Sequence, residues 1–366
     1  MNGHSFIIHT MNSTDTIFIT GFPGFIAERL VKRLAHEQTK FFLLVQTNFI
    51  EKAKQDIERF ASETRTPKEN FVIVEGDITQ TNLGIRDEDL KTILAETTDV
   101  FHLAAVYDLA VEKDLAFLVN VEGTRNVNEF VESLPNLQRY NYISTCYVAG
   151  TRGGTIYENE LEHNAAFRNF YEETKYLAEV SVEKLKSEIP TTIFRPSVVV
   201  GDSKTGETAK YDGIYSLIKY LKISPTLFRF VNVGNKNVRL NLVPVDFVVE
   251  SLAVLSKDEN AVGKTLAIAD PNPLTTEEIF DAIAENLIGK KSVIHPPPVL
   301  IEKTLMMPIT PMISGLPHSG VPYFFLPQIY DTSLSQEFLA AHGIACPNFK
   351  SYVENLLAFV EKNPKL

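Results

Sequence analysis

Short apolar runs alternate, from Thr16 onward, with longer segments whose apolar positions recur every three or four residues. The short runs "TIFIT", "FFLLVQ", "FVIVEGD", "DVFHLAA", "RYNYIST" and "TTIFRP" predict strands. The longer segments predict helices over "FIAERLVKRLAHE", "EKAKQDIERF", the stretch near Asp87 to Ala95, "NVEGTRNVNEFVESL", and Phe167 to Glu188. Regular alternation of this kind predicts a parallel sheet joined by crossover helices. The strand segments are continuously apolar, so both faces of the sheet are expected to be buried. The predicted fold class is α/β: a doubly wound parallel sheet of the Rossmann type with a smaller C-terminal substrate-binding part.

Past "RPSVVVG" the regularity breaks into the polar loop "DSKTGETAKYDG", followed by apolar and aromatic pieces through Val233. Order resumes at the strand "TLAIAD" and at a capping box, Thr275 to Glu278, which opens the helix "EEIFDAIAENLIG". The stretch from Pro296 to Pro327 is the least regular of the chain, and "PNFKSYVENLLAFVEKN" predicts a closing helix. The expected organisation is a tail over 1–15, with Met11 just ahead of the first strand. A nucleotide-binding domain follows over 16–201, to which 234–270 return. A substrate-binding or lid region is expected over 202–233 and 271–366.

A chain of 366 residues, 44% hydrophobic, buries a large core and suits one principal domain with an appendage. Its net charge of −11, with no long basic run, argues against a nucleic-acid partner. Two cysteines, Cys146 and Cys346, make no disulfide scaffold, and no Cys/His spacing suggests a metal site. The start lacks the pattern of a signal peptide, and no apolar run reaches the roughly 18 residues of a membrane-spanning helix. A soluble, cytoplasmic protein without an integral membrane segment is the expectation.

The stretch "TIFITGFPGFIAERL" runs a strand through a turn with Gly21 and Gly24 into a helix, with Ala27 in the third place of a G-x-x-G-x-x-G spacing. Such a turn is either a plain connector or an anion cradle, because a helix start offers unpaired N–H groups and the positive end of its dipole. Its place after the first strand of an alternating pattern favours a dinucleotide. The second strand ends at Gln46, where a ribose-reading residue is expected. A carboxylate there would repel a 2′-phosphate, and its absence favours NADP(H) over NAD(H).

On the long helix, Ala178, Val182, Leu185 and Ile189 mark the inward face, and the same stripe extends back to Lys175 and Tyr171. Lys175 either snorkels past the helix end or sits beside Tyr171. In the second case an ammonium would lower the phenol's pKa and make it a usable general acid or base. Ser144 and Thr145 end a strand at the carboxyl edge, where open α/β sheets bind ligands. Cys146 has no histidine partner in an obvious motif and is expected to be a small buried residue. Asp246 is expected to cap the helix that follows it.

Taken in order, "TGFPGFIA", "GDIT", "HLAAVYD", "NVEGTRNV", "ISTCYVAG", "YEETK", "FRPSVVVG" and "VPVDFV" resemble the extended short-chain dehydrogenase/reductase superfamily over most of the chain. The chain is most similar to the branch of fatty acyl-CoA (male-sterility) and thioester reductases. The resemblance implies that Gly21, Phe22, Gly24, Phe25 and Ile26 cradle a pyrophosphate. It further implies that Asp77 and Ile78 contact the adenine and that Ala104 and Ala105 line the dinucleotide. Pro196, Ser197 and Val198 would pack on the nicotinamide. Thr145 matches the catalytic hydroxyl, with Ser144 as second choice; Tyr171 matches the proton donor and Lys175 the ribose-holding lysine. The branch commonly has an arginine where this chain has Gln46.

The implied activity is hydride transfer to a carbonyl, with Tyr171 as general acid, on a hydrophobic acyl thioester or aldehyde carried on CoA or an acyl carrier protein. A dehydrogenase or epimerase acting on a ketone, hydroxysteroid or sugar nucleotide is the alternative, and a non-catalytic dinucleotide sensor a second one. An apolar pocket built from Leu305, Met306, Met307, Ile309, Met312, Tyr323, Phe324 and Phe325 is expected, with ordinary packing or a surface patch as the competing reading.

Overall fold

The computed structural model describes residues 15–223, 230–307 and 320–365. Residues 1–14 of the expected tail, and Ile309 and Met312 of the expected pocket, lie outside them. Seven strands, β1 (Thr16–Thr20), β2 (Lys40–Val45), β3 (Phe71–Glu75), β4 (Asp99–His102), β5 (Arg139–Ile143), β6 (Thr191–Pro196) and β7 (Thr265–Ile268), form one sheet in the order 3-2-1-4-5-6-7. Every neighbouring pair is parallel. The order reverses between β1 and β4, so a crevice opens at the carboxyl ends of these two strands.

The longer helices among the described residues are α1 (Phe25–Leu34), α2 (Ile50–Thr64), α3 (Asp87–Glu96), α4 (Gly123–Glu132), α5 (Phe170–Leu185), α6 (Ile214–Ile223), α7 (Val245–Leu255), α8 (Thr276–Ile288), α9 (Pro298–Leu305), α10 (Ser333–Ala341) and α11 (Val353–Lys362). The alternation of strand side chains sorts them onto two faces. Ile17, Ile19, Phe41, Leu43 and Phe101 meet α1, α2 and α7. Phe18, Phe42, Leu44, Tyr140 and Tyr142 meet α3, α4 and α5. Each fully buried Phe or Leu contributes about 1.5–3 kcal/mol, so the sheet is fixed by its two apolar faces.

A second core gathers α6, α8 and α11 around Ile218, Phe280, Ile283, Tyr352 and Leu356. The capping box is present: Thr275 accepts from the Glu278 N–H, and the Glu278 carboxylate accepts from the Thr275 N–H. From the C-terminal half, α10 places Leu339 in the core beneath the sheet.

Some boundaries differ from those read in the sequence. α1 stops at Leu34, and α5 begins at Phe170 because Asn169 caps it, its side chain accepting from the Glu172 N–H at 3.0 Å. The helix that ends in α4 starts earlier than expected, at Lys113, and passes through a π turn over Phe117–Glu122. Asp246 is not the cap of α7. That helix begins at Val245, and Asp246 accepts from the Ser203 N–H (2.8 Å) and hydroxyl (2.6 Å), pinning the polar loop. Within the irregular segment the short α9 forms, opened by a proline that has no N–H to lose there.

Candidate active site

The turn between β1 and α1 lies at the crevice. Gly21 has φ +86°, and a Cβ on it would fall 2.7 Å from the Ala104 nitrogen. A Cβ on Gly24 would fall 2.6 Å from the Gly21 carbonyl oxygen. Both positions therefore require glycine, and the backbone after β1 touches the backbone after β4 directly. Gly24 is the N-cap of α1 without any side-chain cap, which leaves the first N–H groups of the helix, those of Phe25 and Ile26, for an anion. Ala27 is buried against the sheet, as close packing of α1 demands. The Phe22 side chain is turned into the core, so what it offers a pyrophosphate is main chain. These features fit a dinucleotide.

At the ends of β2 and β3, the exposed Gln46 donates through Nε2 to Asp77 Oδ2 at 2.8 Å. Asp77 Oδ1 accepts from the Thr79 N–H and hydroxyl, both at 2.8 Å. Burial acts to raise the Asp77 pKa, but the bonds from Thr79 and Gln46 outweigh it and hold the carboxyl below the usual aspartate range. Ile78 points into the core against Gly123, leaving only its main chain for an adenine. Ala104 N donates to Thr20 Oγ1 at 3.1 Å, and Ala105 beside it is exposed.

Across the crevice, α5 brings Tyr171 to the end of β5. Tyr171 is buried with Val106, Leu109, Val111, Ala116 and Tyr147, and the ring of Tyr107 stands edge-on to it at 5.2 Å. Burial pushes its pKa up, a hydrogen bond with Thr145 pulls it down, and Glu172 raises it again. This corrects the expectation that Lys175 draws the phenol's pKa down. The ammonium of Lys175 is directed instead to the Tyr142 hydroxyl (2.9 Å) and the Ile143 carbonyl (2.8 Å) of β5. Desolvation lowers the Lys175 pKa to about 7, although Glu179 opposes the shift. Lys175 is buried, so it does not snorkel.

The structure separates the two candidate hydroxyls. Thr145 Oγ1 accepts from the Tyr147 N–H at 3.2 Å and lies with Tyr171. Ser144 points the other way: its hydroxyl donates to Glu179 Oε2 inside the core, and Glu179 in turn pairs with Arg195. Strand alternation explains this, since adjacent residues at a strand end face opposite sides. Ser144→Ala is expected to lower stability by about 1–3 kcal/mol and leave turnover within a few-fold of wild type, whereas Thr145→Val should lose turnover by roughly 10-fold or more. Denaturant titration and steady-state kinetics on both variants check this contrast.

Of the remaining predicted positions, Pro196 ends β6, Ser197 donates to Asn241 Oδ1 at 2.8 Å, and Val198 is half-buried beside the second core. Cys146 is buried with its thiol on the Arg195 carbonyl, and burial raises its pKa, as suits a packing residue. Among the described residues, those expected to build the acyl pocket do not all gather at one place. Met306 and Met307 are exposed, and Phe324 packs on the second core. Tyr323 donates to Glu172 Oε1 (2.5 Å), accepts from Asn169 Nδ2 (2.8 Å) and sets its ring, tilted, 4.6 Å from that of Tyr147.

Sequence reading missed Asn120, which is buried, accepts from the Val106 N–H (2.9 Å) and donates to Thr174 (3.0 Å). It ties the loop after β4 to α5. The signal was its place one turn before "GTRNV", where an amide facing inward has to find partners. Among the described residues no cluster of ligating side chains could hold a metal, and no helix is long and apolar enough to cross a membrane.

A seven-stranded parallel sheet with a glycine-only turn at its switch point, and a Tyr-Lys helix beside it, define an NAD(P)-binding chain of the extended short-chain dehydrogenase/reductase class. The sequence profile of the male sterility protein family matches residues 19–252, and the chain belongs to that family. It is 25% identical over 279 residues to the fatty acyl-CoA reductase wat of Drosophila melanogaster, covering 66% of this chain and 54% of that one. To the alcohol-forming fatty acyl-CoA reductase of Simmondsia chinensis it is 24% identical over 307 residues, covering 65% and 62%. The chain spans about half the length of the first of these relatives. Among solved structures it resembles the terminal R domain from the myxalamid PKS-NRPS biosynthetic pathway, with TM-score 0.80, 21% identity and coverage of 97% and 92%. A thiolation-reductase di-domain from an archaeal non-ribosomal peptide synthetase gives TM-score 0.76 at 19% identity, covering 96% and 76%. At these identities the structural likeness speaks for the fold.

Proposed function

We propose that the protein reduces the carbonyl of a hydrophobic acyl group presented as a thioester on CoA or on a carrier protein. One observation carries the reading. Folding brings Tyr171 and Lys175, one turn apart on α5, to Thr145 at the carboxyl end of β5, beside the crevice that begins at Gly21. The relatives named as fatty acyl-CoA reductases, and the likeness to a thiolation-reductase di-domain, support the choice of an acyl thioester.

The reduced nicotinamide, when bound, supplies a hydride to the carbonyl carbon. Thr145 orients the carbonyl oxygen and Tyr171 protonates it, while Lys175 would hold the ribose. Loss of the thiol then leaves an aldehyde, so one free thiol appears for each hydride consumed in that step. A turnover assay with NADH and NADPH across acyl-thioester, aldehyde and ketone substrates, with a parallel thiol readout, tests the reading. Cofactor oxidation without thiol release would point to an aldehyde or ketone reductase; no oxidation with any substrate would overturn the enzyme reading.

We favour NADP(H) because no carboxylate ends β2, although the ionised Asp77 bonded to Gln46 opposes a 2′-phosphate. Gln46→Arg adds a planar cation beside that phosphate and is expected to raise the NADPH to NADH ratio of kcat/KM by about tenfold. An unchanged ratio would place the adenosine ribose elsewhere.

A further inference from the structure

Lys175 ends a chain of buried polar groups that crosses three strands and a helix. Ala104 N–H donates to Thr20 Oγ1 (3.1 Å), and Thr20 Oγ1 lies 2.7 Å from His102 Nδ1. His102 Nε2 lies 3.0 Å from Thr124 Oγ1 on α4, and the Thr124 side chain is near enough to the Tyr142 hydroxyl to oppose the rise that burial gives its pKa. The Tyr142 hydroxyl lies 2.9 Å from Lys175 Nζ. His102, Thr124, Tyr142 and Lys175 are all buried, and the imidazole ring is 5.6 Å from the Tyr142 ring. Desolvation, helped by Lys175, lowers the His102 pKa to about 3, so the ring stays neutral and carries one proton. That proton sits on either nitrogen.

We propose that Tyr142, Thr124 and His102 are positioning residues for Lys175, joined in a hydrogen-bonded wire whose direction reverses with the charge of the lysine. An ammonium donates to Tyr142. Tyr142 then donates to Thr124, Thr124 to His102 Nε2, and Nδ1–H to Thr20. A neutral amine instead accepts from Tyr142, which accepts from Thr124. Thr124 then accepts from Nε2–H, and Nδ1 accepts from Thr20. In both directions Lys175 keeps an N–H on the Ile143 carbonyl. A buried polar group left unpaired is costly, so the wire lets Lys175 change charge while its buried neighbours stay satisfied. The proton gained or lost at Nζ comes from solvent or returns to it, and the histidine changes only which nitrogen holds its own.

Tyr171 and Glu179 lie on the same helix as Lys175, with Glu179 balanced by Arg195 of β6. Tyr142 comes from β5 and His102 from β4. α4 turns inward Thr124 and Asn128, neither of which titrates. The use of the wire in turnover rests on the reductase reading of Lys175; the wire itself does not.

The test is a ¹⁵N-histidine NMR titration of the full chain without cofactor between about pH 5 and 9, with His102 assigned by its loss in His102→Gln. The expected result is that the proton of His102 moves from Nδ1 to Nε2 as the pH rises through the Lys175 titration, with the ring neutral throughout. In Tyr142→Phe and Thr124→Val the tautomer should no longer follow pH. In Tyr142→Phe the pH profile of kcat/KM should also shift by about one unit relative to wild type. A His102 tautomer fixed across the range in wild type, whether or not Lys175 titrates, would overturn the proposal even if neither variant folds. Absence of turnover on every substrate would overturn the reductase reading and leave the titration to decide the wire alone.

Discussion

Tyr171→Phe is expected to lower kcat/KM for carbonyl reduction by roughly 10²–10⁴-fold, the usual contribution of a positioned proton donor. The substitution removes one oxygen and keeps the ring, so the apolar cluster of Val106, Leu109, Val111, Ala116 and Tyr147 stays filled. Thr145 retains the Tyr147 N–H as a donor. Cofactor affinity, measured by fluorescence titration, should stay within a few-fold of wild type, because the cradle is built from Gly21, Gly24 and the start of α1. Activity close to wild type would remove Tyr171 from the proton path. Equal loss of cofactor binding would mean that the phenol supports the site and does not act in it.

The largest stability effect is expected at Glu179. Its carboxylate accepts from Arg195 Nε at 2.9 Å and Nη2 at 2.5 Å and from the Ser144 hydroxyl, all inside the core. Arg195 also donates through Nη1 to the carbonyls of Glu158 (3.2 Å) and Glu160 (3.0 Å). Glu179→Ala leaves the guanidinium buried with its charge unanswered, and breaking such a pair from one side costs about 3–5 kcal/mol. Urea unfolding should show a lower midpoint with an unchanged slope. Replacing both partners, as in Glu179→Leu with Arg195→Met, should recover much of the loss, since the penalty belongs to the orphaned charge. A Glu179→Ala unfolding free energy within about 0.5 kcal/mol of wild type would refute this account.

Much of the architecture is legible in the sequence because the sheet is buried on both faces. Runs such as "TIFIT" and "FFLLVQ" announce strands without any tertiary information. The Gly21 turn was legible as a motif, but its requirement for glycine comes from the Ala104 backbone, 83 residues away in the chain and invisible to local reading. Tyr171 and Lys175 were legible from helical spacing. The partner of Lys175 was not, because Tyr142 looks like one more apolar strand residue until β5 and α5 are packed together. Ser144 and Thr145 are adjacent and chemically alike, and only the direction each faces tells them apart. The composition of the segment after Pro296 suggested a single pocket, whereas tertiary packing sends Tyr323 to α5 and Phe324 to the second core.

The strand order also bears on how the chain is made. β1, β2 and β3 pair with their neighbours in sequence, so this half of the sheet can assemble as soon as it leaves the ribosome. The other edge of β1 belongs to β4, with Ile17 opposite Asp99, and β1 is apolar on both faces. Until residue 102 has been synthesised, a nascent chain carries an open, sticky strand edge at what will become the centre of the sheet. Translation through "DVFHLAA" closes that edge, which makes this stretch the point where a pause would favour aggregation and where a holding chaperone would have most to protect.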